Sequence, residues 1–308
     1  MTHATNAFLG LDRRHSTPAT ARYAVLPVPY EGTSTYKLGT AAGPAAILDA
    51  SQQVELFDEE LHGEFISPGI TTCPPVPPAD TPAGQMRRVR DVAGPLVGAG
   101  AFLLALGGEH SITAPLVAAC AEVHPDLSVL QIDAHADLRD RYGGSKHSHA
   151  CVMRRVLETT GRIAQVGVRS YSREEFLSRG KEISNLITPE TVSGDPHWID
   201  RTLSLLSETV YVTIDMDGLD PSIAPGVGTP EPGGLTWQQV TALLRRLCAC
   251  REVVAADVVE VRPIPPNHVT EFVAARLAYK IIAYTQRRAG WAANRETPSE
   301  EPGEVFGD

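Results

Sequence analysis

Nowhere in the 308 residues does an apolar stretch approach the roughly 20 residues that a helix needs to cross a bilayer, so the sequence offers no membrane span. Basic side chains are in deficit: 27 Lys and Arg against 37 Asp and Glu leave a net charge of -10. That balance argues against nucleic acid or an acidic membrane surface as a partner, because both call for clustered cations. It suits a small cationic ligand, and it serves solubility equally well. Cysteine is scarce, with Cys73, Cys120, Cys151, Cys248 and Cys250 forming no even framework, and the Cys248-Ala249-Cys250 spacing is wrong for a zinc knuckle. These thiols are expected to be reduced and to pack as small hydrophobes. The stretch from Thr2 to Pro18 is polar and carries no apolar segment of the secretory kind, so the expected location is cytoplasmic.

What the chain does have is enough apolar material for a large core, at 43% hydrophobic residues. Strand-length apolar runs at Tyr23 to Pro27, Ala101 to Leu106, Leu127 to Ile132, Ile163 to Val168, Val210 to Ile214 and Val253 to Val259 alternate with amphipathic stretches. Those stretches run over Gln85 to Val97, Ala114 to Val123, Asp195 to Leu206, Trp237 to Leu247 and Thr270 to Thr285. The alternation predicts a three-layer α/β/α fold with a mostly parallel central sheet. No repeat and no interior linker is visible, which predicts one domain over residues 21–290, preceded by a flexible segment at 1–20 and followed by a disordered tail at 291–308.

Loops after strands are where ligands gather in such sheets. The run ending at Leu106 leads into Gly107-Gly108-Glu109-His110-Ser111, and the run ending at Ile132 into Asp133-Ala134-His135-Ala136-Asp137. A third run, ending at Ile214, leads into Asp215-Met216-Asp217. Alternate residues of an extended segment share a side, so Asp133, His135 and Asp137 can converge, as can Asp215 and Asp217. With His110 these make more ligands than a single cation of this type takes from a protein. A pair of cations about 4 Å apart, bridged by carboxylates and lowering the pKa of a shared water, fits the count. Oxygen-rich ligation with few imidazoles and no thiolate favours Mn²⁺ over Zn²⁺ or Cu²⁺, and leaves Mg²⁺, Ni²⁺ and Co²⁺ open.

In this order, the motifs resemble those of the ureohydrolases, the arginase and agmatinase family. The resemblance begins at Pro27-Val28-Pro29-Tyr30-Glu31-Gly32 and continues through Gly39 to Pro44 and the three ligand motifs. It extends to Gly228-Thr229-Pro230-Glu231-Pro232-Gly233-Gly234 and Asp257-Val258-Val259-Glu260-Val261, and so covers nearly the whole chain. It implies an arginase-like fold and hydrolysis of a guanidino compound to urea and an amine. It further implies one Mn²⁺ on His110, Asp133, Asp137 and Asp215, a second on His135, Asp133, Asp215 and Asp217, and a homo-oligomer, trimer or hexamer. Glu260 matches the position that grips the guanidinium, and Thr229 is expected to contact the substrate beside it. His149 matches the family's proton-carrying histidine, preferred over His147 for its place at the start of the next helix, and Asp137 is counted with His149 and Glu260 as catalytic.

The substrate's tail is less legible. The loop Leu138-Arg139-Asp140-Arg141-Tyr142-Gly143-Gly144 does not carry the arginase pattern and resembles the agmatinase branch, which makes agmatine, cleaved to putrescine and urea, the expected substrate. Arg139 and Arg141 keep a guanidino acid such as guanidinobutyrate open, since either could pair with a carboxylate, and free guanidine is a further alternative. Arg262 departs from the family's small polar residue and would put a cation near the guanidinium unless it points away. Two other classes stand beside these: a phosphoesterase, for which no phosphate loop is evident, and a relative that binds metal or a partner protein without turnover.

Overall fold

The computed structural model describes residues 7–288. Seven strands form one parallel sheet: β1 (Tyr23–Val28), β2 (Ile70–Thr72), β3 (Phe102–Gly107), β4 (Leu127–Ile132), β5 (Ile163–Val166), β6 (Thr209–Asp215) and β7 (Glu252–Val259). Their spatial order is β2-β1-β3-β7-β6-β4-β5. Both faces are covered, which is why the strands read as continuous apolar runs rather than alternating ones. In β1, Tyr23 and Val25 face one core while Ala24, Leu26 and Val28 face the other.

The first core is closed by α1 (Gly43–Ser51), α5 (Trp198–Ser204), α6 (Trp237–Cys250) and α7 (Val269–Arg288). The second is closed by α2 (Pro82–Gly98), α3 (Thr113–Val123) and α4 (Val152–Thr160). The three-layer α/β/α architecture expected from the sequence is therefore present. All five cysteines are free, and Cys248 is pushed up to about 12 by burial.

Register decides where the site forms. Leu106 pairs with Val258, Ile214 with Val258 and Ile132 with Ile214, so β3, β7, β6 and β4 end level with one another. Residues 107–111, 260, 215–217 and 133–137 consequently emerge side by side at the carboxyl edge.

Some elements differ from expectation. β2 was not foreseen, because three residues are too few to show a pattern; it is held by pairing Tyr23 with Ile70. The helix expected over Asp195 to Leu206 begins only at Trp198, since Pro196 forces Asp195 into an extended conformation. Within the segment expected to be flexible, Phe8–Gly10 and Arg13–Ser16 form short helical turns, and Phe8, Leu9 and Leu11 are buried in the first core. Their anchors lie far off in sequence, the Phe8 N–H bonding Thr72 Oγ1 at 2.9 Å and the Leu9 N–H bonding Ser51 Oγ at 2.9 Å. The tail expected at 291–308 lies outside the described residues.

One buried ion cluster ties α7 to the hairpin that joins Phe57–Asp58 to Gly63–Glu64. Lys280 is 1% exposed, and its Nζ lies 2.9 Å from Asp58 Oδ2 and 3.2 Å from both Glu59 Oε1 and Glu60 Oε2. Removing the cation strands a buried carboxylate, so Lys280→Met is expected to cost about 3 kcal/mol in urea unfolding. A loss below about 1 kcal/mol would show that the cluster relaxes into water.

Candidate active site

The turn after β3 comes first in the chain. Gly108 lies so close to the loop after β1 that a Cβ there would sit 2.1 Å from the Tyr30 carbonyl oxygen, which makes glycine obligatory. The turn delivers His110, 1% exposed, whose Nε2 lies 2.8 Å from Thr213 Oγ1. Thr213 in turn donates to Asp257 Oδ1 at 2.7 Å, so its hydroxyl accepts from His110 and the imidazole proton resides on Nε2. Asp257 also accepts from Thr113 at 2.8 Å and Tyr211 at 2.6 Å, which fixes the whole chain of bonds.

In the neutral ring the other nitrogen, Nδ1, then carries the lone pair. Nδ1 stands 3.1 Å from Asp133, 3.3 Å from Asp137 and 3.4 Å from Asp215, yet has no aligned hydrogen bond. A buried nitrogen aimed without a partner into three carboxylates has the geometry of a metal ligand, with Thr213 and Asp257 as the outer groups that set its tautomer.

Asp133 and His135 follow β4. Asp133 Oδ2 accepts from Gln131 Nε2 at 2.6 Å, and Gln131 is held by Gln165. His135 Nδ1 lies 3.0 Å from Asp217 Oδ2 and 3.6 Å from Asp133 Oδ1. Asp137 takes a left-handed backbone, φ 54°, which a non-glycine residue holds only when its surroundings insist. Here the first turn of α4 insists, because the Met153 and Arg154 N–H groups both bond the Asp137 carbonyl, at 3.0 and 3.2 Å. After β6, Asp215 accepts from the Asp217 N–H at 2.9 Å, and Asp217 accepts from the Ala134 N–H at 3.1 Å and from Thr229 Oγ1 at 3.2 Å. Gly218 permits this contact between loops, since a Cβ there would lie 2.7 Å from the Asp133 nitrogen.

Two ligand groups result, His110 with Asp133 and Asp137, and Asp133 with His135 and Asp217, with Asp133 shared. Asp215 completes the first through His110. The electrostatics point the same way. Burial and the charges of Asp217 and Asp133 push Asp215 well above the usual carboxylate range, and burial with Asp133 raises Asp137. Burial opposes charge on His135, but Asp217 and Asp133 outweigh it and raise the imidazole to about 12. So much negative charge in so little space binds protons unless cations replace them. The donor set of four Asp and two His fits a pair of divalent metal ions.

Glu260 follows β7 as another left-handed residue, φ 63°, and its Oε1 accepts the His110 N–H at 2.7 Å. It shares with His110, His135, Asp137, Asp215, Asp217, Thr229 and His149 the lining of a cavity of about 250 Å³. His147 does not line it; of the two neighbouring histidines the cavity takes His149. Arg262, which departs from the family pattern, turns away and donates from Nε to the Leu38 carbonyl at 2.8 Å. Arg141 is occupied by the Gly144 carbonyl, while Arg139 does line the cavity, over the Tyr142 ring and 4.0 Å from Glu175.

Three supports were not visible in the sequence. Thr213 and Asp257 are one; a period-2 strand motif says nothing about which residue bonds His110 across the sheet. Arg169 is another, donating to the carbonyls of Asp217 at 2.8 Å and Glu231 at 2.7 Å and so tying the two loops of the later motifs together. Glu109 is the third, a fully buried carboxylate that binds the loop after β1.

A family model described as the Arginase family matches residues 21–283. The N(1)-aminopropylagmatine ureohydrolase of Synechocystis is 42% identical over 278 residues, spanning 86% of this chain and 90% of that protein. An agmatinase from Pyrococcus horikoshii is 34% identical over 271 residues, 87% of this chain and 93% of its own. The crystal structure of the agmatine ureohydrolase of Thermoplasma volcanium superposes with a TM-score of 0.81 at 33% identity, covering 88% of this chain and 92% of that one. Fold, motif order and these matches together make the chain a member of the arginase family, a ureohydrolase that cleaves guanidino compounds to urea and an amine.

Proposed function

We propose that the protein hydrolyses agmatine to putrescine and urea on a pair of Mn²⁺ ions, with Ni²⁺ or Co²⁺ as substitutes. The observation that carries the metal reading is the unpartnered Nδ1 of His110 among Asp133, Asp137 and Asp215. His110, Asp133, Asp137 and Asp215 would hold one ion, and Asp133, His135, Asp215 and Asp217 the other. When bound, two such cations supply Lewis acidity and lower the pKa of a water, so that a nucleophile exists at neutral pH.

The chain's own residues do the rest. Glu260 draws the planar guanidinium into the cavity through its carboxylate; Oε1 is partly engaged by His110, but each carboxylate oxygen has a second lone pair. Thr229, through its bond to Asp217, borders the same space and would contact the substrate there. His149 passes a proton to the departing amine as water adds to the central carbon and the C–N bond breaks. A homo-oligomer, trimer or hexamer, and a cytoplasmic location complete the proposal; among the described residues no helix is long and apolar enough to cross a membrane.

Agmatine is favoured over guanidinobutyrate because Arg139, the one of the two loop arginines that lines the cavity, already has Glu175 and Tyr142 as neighbours. A longer cationic tail is the second reading, supported by the Synechocystis relative and by a 40% identical Thermus thermophilus protein, both named N(1)-aminopropylagmatine ureohydrolases. Urea release with Mn²⁺ should be compared for agmatine, N(1)-aminopropylagmatine, arginine, guanidinobutyrate and guanidine. The two cationic-tailed substrates are expected to exceed the rest in kcat/KM by about 100-fold. The ratio between those two decides the tail, and no urea from any of the five would refute the proposal.

A further inference from the structure

The loop after β1 does more than border the cavity. Glu109 is completely buried, one residue before His110, and its Oε2 accepts the backbone N–H groups of Gly32 at 2.8 Å, Thr33 at 2.6 Å and Ser34 at 3.1 Å. Its Oε1 accepts the hydroxyls of Thr33 at 2.8 Å and Ser111 at 2.5 Å. Three consecutive amides and a hydroxyl of one loop are thus pinned to a carboxylate fixed in the turn that carries a metal-ligating histidine.

Thr33 is the residue this clamp presents to His149. Its Oγ1 accepts the backbone N–H of His149 at 3.0 Å and lies 3.2 Å from the ring's Nδ1. Because the Thr33 hydroxyl proton is already given to Glu109, Oγ1 can only accept from the ring. A donor at Nδ1 follows, and of the two neutral tautomers this selects the one whose lone pair is on Nε2. Ser148 Oγ is the other neighbour of Nδ1, at a longer 3.4 Å, and the Tyr142 ring meets His149 edge-on at 5.9 Å between centroids.

We propose that Thr33, clamped by Glu109, is a positioning residue that keeps the proton of His149 on Nδ1 and so reserves Nε2 for proton exchange in the cavity. The inference rests on the reading of His149 as the proton carrier and adds what makes its ring competent. On Nε2 the lone pair can take up the proton that is later passed to the amine, whereas the other tautomer presents an N–H there, and an untethered ring would sample both. Thr33 does not line the cavity, so the effect is expected in kcat rather than in binding.

The test uses the Mn²⁺-loaded full chain carrying Thr33→Val, which keeps the shape of the side chain and removes the acceptor, and Thr33→Ser, which keeps the acceptor. Thr33→Val is expected to lower kcat about 10- to 100-fold with KM and bound metal unchanged, and Thr33→Ser to recover to within about threefold of the parent. Independently of turnover, ¹H–¹⁵N NMR of the imidazoles with diamagnetic Mg²⁺ should show the His149 ring, identified by difference from His149→Asn, protonated at Nδ1 in the parent and mixed in Thr33→Val. A parent ring protonated at Nε2, an unchanged kcat in Thr33→Val, or equal losses in both variants with the tautomer unaltered would overturn the inference. Full turnover by His149→Asn would instead remove the proton-carrier reading and this inference with it, whereas an inactive His149→Asn beside a fully active Thr33→Val would remove this inference alone.

Discussion

Replacing Asp217 by Asn is expected to lower urea production by roughly a thousandfold or more, and to lower bound Mn²⁺ at the same time. Asp217 is buried, accepts the Ala134 N–H through one oxygen, and with the other faces His135 Nδ1 at 3.0 Å. Asn retains an acceptor for Ala134 but surrenders the charge that one cation needs. The shared carboxylate Asp133 should behave at least as severely, since it belongs to both ligand groups. Metal content and turnover, measured on the same preparation, must fall together. A variant that keeps its full complement of metal while losing activity would assign Asp217 to the substrate and not to the ion.

Glu260→Gln should separate the two functions in the opposite sense. The variant is expected to keep both cations and lose about 100-fold or more in kcat/KM, because a charge-assisted pair with the guanidinium becomes a neutral contact. Gln can preserve the bond from the His110 N–H, which spares the ligand turn, so the loss is not a folding effect. Burial and the nearby Glu109 charge hold the Glu260 carboxyl well above its usual range, a sign of how strongly this position calls for a cation. Metal loss in Glu260→Gln would mean that Glu260 supports the ion cluster more than the substrate.

The parallel layered sheet and the candidate ligand residues beyond its strands were legible for a common reason. A parallel sheet covered on both faces writes each strand as an unbroken apolar run, and the residues just beyond it fall at one edge whatever else the chain does. Asp133, His135 and Asp137 therefore announced themselves by spacing, and the resemblance supplied the roles of His149 and Glu260. What stayed hidden depends on distance along the chain. Thr33 and His149 are 116 residues apart, His110 and Thr213 are 103 apart, and no local pattern signals either contact. The same holds for Arg169, whose guanidinium finds carbonyls up to 63 residues away. The burial of Phe8, Leu9 and Leu11 was missed because polar neighbours dilute them in the sequence. Arg139 and Arg141 looked equivalent as charges, and only the structure distinguishes Arg139, which lines the cavity, from Arg141, while Arg262 is found turned toward the Leu38 carbonyl.

Everything in the catalytic reading depends on whether these loops hold two cations. The direct measurement is the metal-to-chain ratio after equilibration with Mn²⁺ and removal of free ion, taken on the parent and on Asp217→Asn in parallel. The expected ratios are about two for the parent and about one for the variant, which leaves the ion beside His110 in place. A parent that retains one ion or none, or a variant that still retains two, would contradict the account.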